Sequence, residues 1–122
     1  MSKRILVIED TEDNRQIIRD LLTSFDYELI EAMDGAEGVA MAETHRPDLI
    51  LMDIQLPVLD GYEATRRIRA IPELARVPIV AVTSYALSGD EAKTREAGCD
   101  GYIAKPFSPR QLLATVREFL PE

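Results

Sequence analysis

Five side chains that could carry out chemistry each stand at the end of a short apolar run: Glu9, Asp10, Asp53, Thr83 and Lys105. Asp53 is the clearest case, because the apolar residues Leu49–Met52 lead into it and Pro57, which lacks a backbone donor, closes the segment as at a strand exit. This pattern places Asp53 at the carboxyl end of a buried strand. In an open α/β sheet, ligands collect in the crevice beyond these strand ends. A charge there is costly unless it is paired, hydrogen-bonded or bound to a metal.

The types of these side chains favour the binding of a phosphoryl group. If the strands ending at Glu9 and Asp53 are neighbours, roughly 5 Å apart, three carboxylates share one pocket and raise one another's pKa. A hard divalent cation such as Mg²⁺ relieves that repulsion, since it prefers oxygen ligands. Thr83 can donate its hydroxyl to an anion at Asp53. Lys105 can span most of the roughly 10 Å that separates strands two apart.

These groups suit transfer of a phosphoryl group better than hydrolysis. Phosphoryl transfer needs mainly in-line positioning and neutralisation of charge on the equatorial oxygens, and both are supplied here. No side chain of the set is a base that would activate water. We therefore expect Asp53 to be a covalent acceptor.

The elements that must position this set are five strands alternating with five helices. The strand segments are Ile5–Ile8, Glu28–Glu31, Leu49–Met52, Ile79–Val82 and Gly101–Ala104. This alternation predicts a doubly wound α/β fold, with a parallel sheet and helices on both faces. The second segment mixes polar and apolar residues, so we expect it at an edge. That placement favours the flavodoxin-like strand order 2-1-3-4-5.

Capping pairs and apolar spacing delimit the helices. The first helix begins near Asp13, with an expected core stripe of Ile17, Ile18, Leu21, Leu22 and Phe25. The later helices are opened by Asp34 with Glu37, Asp60 with Glu63, Ser88 with Glu91, and Ser108 with Gln111. Their expected core residues include Val39, Ala40, Ala64, Ile68, Ile71, Leu112 and Val116. The fourth helix has little apolar content beyond Leu87, Ala92 and Ala97 and should be held least firmly, with Gly98 ending it.

Composition excludes several classes of function. The 122 residues carry 14 basic and 22 acidic side chains, a formal charge of −8, so we expect no nucleic-acid partner and no membrane partner. Cys99 is the only cysteine, which rules out an internal disulfide and indicates a cytoplasmic protein in which this residue is a small buried hydrophobe. We predict one domain over residues 1–122. Because the chain ends directly after its last predicted helix, no output domain is expected.

Five blocks of the sequence, in order, resemble the receiver domain of two-component response regulators: Ile8-Glu9-Asp10, Leu51 to Pro57, Asp60-Gly61, Val82-Thr83-Ser84 and Tyr102 to Phe107. The resemblance covers the entire chain and is strongest to stand-alone receivers of the DivK type, with the CheY type more distant. It implies a signalling protein in a phosphorelay rather than an enzyme. Asp53 would take a phosphoryl group from a histidine kinase or histidine phosphotransfer protein and lose it by slow autodephosphorylation, and a downstream protein target would bind the phosphorylated form.

The resemblance also implies a Mg²⁺ site. Asp10 and Asp53 would be direct ligands, Glu9 would act through water, and the backbone carbonyl of Gln55 would complete the shell.

The remaining implied roles concern the phosphoryl group and a conformational switch. Thr83 and Lys105 would hold the phosphoryl oxygens, and Tyr102 would swing inward when Thr83 moves. The Lys105–Pro106 peptide bond would be cis. Phosphorylation adds about −1.5 to −2 charge, so it should shift residues 84–87 and the helix after them, and partners would read the face formed by that helix, the last strand and the last helix. Gln55 and Tyr85 flank the acceptor and could shield it from water.

Simpler structural explanations exist for several of these residues. Tyr102 fits a half-buried core aromatic as well as a switch, and Thr83 could cap a loop. His45 has no serine or cysteine nucleophile placed for it, so we do not assign it to catalysis. The arginines of the third helix, Arg66, Arg67 and Arg69, are expected to form a solvated face.

Three other functions share some of these sequence features. A metal-dependent phosphohydrolase of the haloacid-dehalogenase type requires a second Asp two residues after the nucleophile, where Gln55 stands. A flavin-binding electron carrier shares the topology, but the acidic segment 9–13 would repel a phosphate. An inactive pseudo-receiver, acting only as an interaction module, is disfavoured because the acceptor, metal acids, hydroxyl and lysine are all present.

Overall fold

A computed structural model of the chain describes residues 3–83 and 90–121. The elements are β1 (Arg4–Ile8), α1 (Glu12–Thr23), β2 (Glu28–Ala32), α2 (Gly35–His45), β3 (Leu49–Asp53), α3 (Gly61–Arg69), a 3-10 turn (Pro72–Leu74), β4 (Ile79–Thr83), α4 (Asp90–Ala97), β5 (Gly101–Ala104) and α5 (Pro109–Phe119). All strands pair in parallel in the order β2-β1-β3-β4-β5. The predicted doubly wound α/β fold and its flavodoxin-like order are confirmed.

Side chains of β1 alternate between two cores, one on each face of the sheet. Leu6 and Ile8 join the core under α2 and α3, whereas Ile5 and Val7 join the core under α1 and α5. All five residues of β3 and of β4 are buried. Because both faces are covered, these strands consist of continuous apolar runs rather than alternating patterns. The ends of β1, β3 and β4 are thereby fixed at one edge of the sheet.

The predicted caps that fall on described residues are present. The Asp34 and Asp60 carboxylates accept hydrogen bonds from the backbone amides three residues later, and Ser108 with Gln111 forms a reciprocal capping box. Gly98, with φ +113°, follows α4 in a conformation that favours glycine. The predicted Ser88 cap lies outside the described residues, as do Tyr85 and the segment 84–87.

Three expected core residues of the helices are exposed instead. In α1, Ile18 and Leu22 are buried, but Ile17 is 56% exposed. Phe25 lies beyond the end of that helix, is 43% exposed, and lies under the guanidinium of Arg117. Ala40, in α2, also faces solvent. In α1 the apolar stripe is narrower than the spacing predicts, since the buried face of this helix includes Arg15.

Cys99 is buried in the core on the α2 and α3 side, as expected. Across the part of the chain that the structure describes, no helix combines the length and apolar character needed to cross a membrane.

Candidate functional site

The carboxyl ends of β1 and β3 bring three carboxylates together. Glu9 and Asp10 follow β1 directly, and Asp53 is the last residue of β3. Because Ile8 pairs with Met52 in the sheet register, the residues that follow them, Glu9 and Asp53, are neighbours. One carboxylate oxygen from each of the three side chains lies within 4.8 Å of the others. Glu9 and Asp53 are buried, at 3% and 4% exposure, whereas Asp10 lies at the surface. The predicted acidic pocket therefore exists, and its mouth is at Asp10.

Lys105 reaches into this pocket from the end of β5. Its ammonium Nζ donates to Glu9 Oε1 at 2.9 Å and to Asp53 Oδ2 at 3.2 Å. The contact with Asp53 agrees with the expected reach of the side chain across two strands, and the contact with Glu9 adds a partner that the sequence did not indicate. The Lys105–Pro106 peptide bond is cis, as the resemblance implied.

Thr83 and Gln55 border Asp53 on the neighbouring segments. Thr83 is the fully buried last residue of β4, the strand next to β3, and its carbonyl accepts from the Lys105 amide at 2.7 Å. The Gln55 amide donates to Asp53 Oδ1 at 3.0 Å, while its side chain is exposed. One Asp53 carboxylate oxygen therefore accepts a hydrogen bond from the Gln55 backbone amide, and the other accepts one from the Lys105 ammonium. Both contacts hold the carboxylate in a fixed orientation.

Tyr102 lies one strand further from the acceptor. It is half-buried in β5, pairs in register with Ala81 of β4, and packs against the core on the α2 and α3 side. This position is consistent with a core aromatic and with the predicted switch.

Gly61 is a positioning residue that the sequence reasoning did not single out. A Cβ atom at this position would lie 2.4 Å from the Asp53 carbonyl oxygen and 2.6 Å from the Ile54 Cα. Only glycine lets α3 start this close to the acceptor. The available signal was the Asp60-Gly61 block of the receiver resemblance, in which only Asp60 has an expected role, as the start of a helix.

Burial and like charge shape the electrostatics of the pocket. Burial, with the neighbouring Glu9 carboxylate, raises the pKa of Asp53 to about 6 even though Lys105 opposes the shift. Burial would also raise the pKa of Glu9, but hydrogen bonds from Lys105 and Thr11 outweigh it and lower that pKa. Burial and Glu9 raise the pKa of Asp10. Burial disfavours the charged form of Lys105, yet its two carboxylate partners raise its pKa overall.

The donor set fits a hard divalent cation. Glu9, Asp10 and Asp53 offer carboxylate oxygens at one point, and the raised pKa values of Asp10 and Asp53 indicate that their negative charges are under-compensated. Lys105 supplies one positive charge against three carboxylates. Oxygen ligands with excess negative charge are what Mg²⁺ binds in proteins.

Beside the pocket, Ile17 and the segment Lys105–Phe107 line a groove of about 350 Å³ together with Glu9, Asn14 and Ile18. The exposed Ile17 therefore borders the candidate site rather than filling the core.

Comparisons with known proteins agree with this geometry. Residues 5–117 match the family described as the response regulator receiver domain. The polar-differentiation response regulator DivK of Brucella anthropi is 42% identical over 120 residues, which are 98% of each chain. The receiver domain of the sensor histidine kinase PA1611 from Pseudomonas aeruginosa PAO1 is 42% identical, with a TM-score of 0.93 over the whole of both chains, and its crystal structure has a magnesium ion coordinated in the active site cleft. A putative response regulator from Chloroflexus aurantiacus superposes with a TM-score of 0.94 at 28% identity, again over the whole of both chains.

Proposed function

Because the chain belongs to the response regulator receiver family of two-component signalling, we propose that Asp53 accepts a phosphoryl group from a phosphohistidine. The donor would be a histidine kinase or a histidine phosphotransfer protein. The observation that carries this proposal is the placement of the Lys105 ammonium 3.2 Å from Asp53 Oδ2, inside a cluster of three carboxylates. The pocket thus holds a nucleophilic oxygen on Asp53, three carboxylates that can bind a metal ion, and the Lys105 ammonium, which can bind a phosphoryl oxygen.

In the proposed step, an Asp53 oxygen attacks the phosphorus atom as the bond between phosphorus and the histidine nitrogen breaks. The electron pair of that bond stays on the imidazole, which takes up a proton from solvent. Asp53 is available as the nucleophile at neutral pH, because its pKa of about 6 leaves most of the carboxylate ionised. The backbone amide of Gln55 keeps the Asp53 carboxylate oriented during the approach.

Lys105 and Thr83 would receive the transferred group. Lys105 already donates to Asp53, so it can shift its hydrogen bond to a phosphoryl oxygen while Glu9 continues to accept from it. Thr83, at the end of the adjacent strand, would donate its hydroxyl to another oxygen. Asp10, Asp53 and the Gln55 carbonyl would bind Mg²⁺ with the support of Glu9. The ion would supply neutralisation of the charge on the phosphoryl oxygens.

Output would pass through protein contact. We propose that the phosphorylated form is read by a downstream protein target at the face that includes α4, β5 and α5, and that slow autodephosphorylation resets the protein. The cytoplasmic location expected from the single cysteine stays a prediction.

The acceptor assignment is tested by intact-mass analysis after incubation with acetyl phosphate and Mg²⁺. Wild type should gain one phosphoryl group, and chelation of Mg²⁺ should abolish the gain. Asp53→Asn should gain none, while Asp20→Asn, which removes an exposed carboxylate of α1, should gain one as wild type does. Equal labelling of wild type and Asp53→Asn would end the assignment of Asp53 as acceptor. No labelling of wild type by acetyl phosphate or by a phosphohistidine donor would favour an inactive pseudo-receiver.

The output face is tested by hydrogen exchange with and without beryllium fluoride, a mimic of the phosphoryl group. Exchange should change mainly over residues 84–98, which follow Thr83 at the end of β4, and around Tyr102, which lies in β5, the strand that leads to Lys105. Asp53→Asn is the control and should show no response. A change confined to α1 and α2 would contradict the proposed face.

A further inference from the structure

Arg15 is a charged residue on the core-facing side of α1, where apolar residues are usual. Its side chain is 8% exposed, although α1 has an open solvent face that holds Gln16 and Asp20. Burying a guanidinium is costly unless its donors are used. One of them is used at the candidate site, since Nη1 donates to the backbone carbonyl of Glu9 at 2.7 Å.

The charge of Arg15 is balanced within a compact network. The guanidinium contacts the Glu12 carboxylate and lies 3.4 Å from Glu31 Oε1, and Arg19 pairs with the same two carboxylates. Two arginines and two glutamates carry no net charge together. Arg15 can therefore donate a strong hydrogen bond next to a cation site without bringing excess positive charge to it.

The Glu9 carbonyl belongs to the peptide group that joins the two acids of the pocket. The other polar groups of Glu9 have partners as well: its amide donates to the Ala32 carbonyl at 3.0 Å, and its carboxylate accepts from the Thr11 amide and from Lys105. Asp10 differs, since it lies at the surface and its carboxyl group is close enough to share a hydrogen bond with the Glu9 carboxylate. The Asp10 carboxylate is therefore placed beside Asp53 by the orientation of its own backbone and by the adjacent Glu9, whose backbone carbonyl Arg15 holds.

We propose that Arg15 is a positioning residue for the cation site: by fixing the Glu9–Asp10 peptide group, it holds Asp10 beside Asp53 before the metal arrives. This inference rests on the proposed function, in which Asp10 and Asp53 bind Mg²⁺. Arg15 is buried, so its role does not involve contact with a partner protein. Residues that orient metal ligands typically change metal affinity by about 10- to 100-fold when they are replaced.

Arg19 provides a matched control. Arg15→Met and Arg19→Met each remove one positive charge from the same four-residue network, but only Arg15 touches the Glu9 backbone. Electrostatics alone would make both variants bind Mg²⁺ equally well or slightly better than wild type. A positioning role makes Arg15→Met bind Mg²⁺ more weakly.

The experiment is calorimetric titration of MgCl₂ into the four proteins wild type, Arg15→Met, Arg15→Lys and Arg19→Met, with urea unfolding in chelator to establish that each is folded. We expect the Kd for Mg²⁺ to rise about 10-fold or more in Arg15→Met and to change less than about 2-fold in Arg19→Met. Arg15→Lys, which keeps one donor and the charge, should lie between wild type and Arg15→Met. The NMR signals of the Asp10 and Thr11 amides should broaden or shift in Arg15→Met without metal and should not in Arg19→Met.

Folded Arg15→Met with the wild-type Kd would overturn the inference while leaving the proposed function intact. Wild type that binds no Mg²⁺ would overturn both. If Arg15→Met does not fold, Arg15→Lys is compared with one further variant, Arg19→Lys, since both keep the positive charge. A higher Kd for Arg15→Lys than for Arg19→Lys supports the positioning role, and equal values reject it.

Discussion

At each end of the sheet, one basic side chain donates hydrogen bonds to several segments of the chain. The acceptors at the two ends differ in charge. At the carboxyl end, Lys105 donates to the Glu9 and Asp53 carboxylates, with Asp10 close by. At the amino end, Arg69 of α3 is 18% exposed and donates to the carbonyls of Leu74, Val77 and Gly98 and to the Asp100 carboxylate. One side chain sits among charges, and the other mainly among neutral acceptors.

This difference indicates that the contacts at the amino end stabilise the fold, whereas those at the carboxyl end serve function. At the amino end, one guanidinium meets one carboxylate and several carbonyls, so charge and hydrogen-bonding capacity are both satisfied. At the carboxyl end, one ammonium faces three carboxylates, and the pKa of Asp53 rises to about 6 as a result of burial and the charge of Glu9. The excess negative charge destabilises the fold there and makes the pocket attractive to a divalent cation. Strongly perturbed groups of this kind mark functional sites more often than structural ones.

The largest effect on stability is expected from removal of the Arg69 guanidinium at the amino end of the sheet. Arg69→Met removes the guanidinium donor from the Val77 and Gly98 carbonyls. It also leaves the Asp100 carboxylate with the Ile79 amide alone among the described contacts. We expect the free energy of unfolding to fall by about 2–4 kcal/mol. The measurement is urea unfolding followed by circular dichroism.

Arg66→Met is the control for this change, because Arg66 is 55% exposed on the same helix and pairs with Glu63 alone among the described contacts. Its effect should stay within about 0.5 kcal/mol. Arg69→Met should also leave the affinity for Mg²⁺ unchanged, since the substitution lies at the opposite end of the sheet. Weaker Mg²⁺ binding in Arg69→Met would mean that the two ends are not independent.

A smaller effect of opposite sign is expected at the carboxyl end. Asp53→Asn removes a carboxylate whose pKa is raised in the folded state by burial and by Glu9, so it should stabilise the metal-free protein at pH 7 by about 1–3 kcal/mol. Because the folded-state pKa lies above the unfolded value, the stability that the protonated carboxyl contributes is fully present below about pH 4 and is lost as the pH rises through 6. Urea unfolding in chelator should therefore show Asp53→Asn and wild type close together at pH 4 and apart at pH 7.

Arg69→Met is the reference for this pH dependence, since its loss of stability should be similar at both pH values. A difference between Asp53→Asn and wild type that does not grow from pH 4 to pH 7 would contradict an uncompensated charge at Asp53.

The sequence predicts the carboxyl end well because short apolar runs define both the strands and the residues that follow them. Once Asp53, Thr83 and Lys105 are placed at strand ends and the strand order is known, their convergence follows from geometry. The reach of Lys105 to Glu9 does not follow, because it depends on the path of one flexible side chain.

The burial of Arg15 and the partial burial of Arg69 are not predictable from local patterns. The expected solvated face is correct for Arg66 and Arg67, which are exposed, and wrong for Arg69. An arginine on an amphipathic helix gives the same pattern whether its guanidinium meets water or the carbonyls of distant loops. For the same reason Arg15 was missed and Ile17 was wrongly assigned to the core: the face of α1 that meets the sheet is chosen by partners such as the Glu9 carbonyl.

The smallest expected effect concerns backbone strain, which also differs between the two ends. Val58, in the loop after β3, has φ 68° and is 81% exposed. A β-branched residue is strained in this left-handed region, and no burial of its side chain offsets the cost. We expect Val58→Gly to raise the free energy of unfolding by about 0.5–1 kcal/mol, after allowing for the greater entropy of glycine in the unfolded chain. Urea unfolding measures the change.

Arg46, at the end of α2 and the amino end of the sheet, is the matched comparison, because it is exposed and has φ 46°. Its side chain is unbranched at Cβ, so relief of strain in Arg46→Gly should be nearly cancelled by the entropy of glycine, for a net change within about 0.5 kcal/mol. A larger gain at Val58 than at Arg46 would show that strain, like excess charge, is concentrated beside the acceptor. Equal gains at both positions would mean that the two ends differ in charge alone.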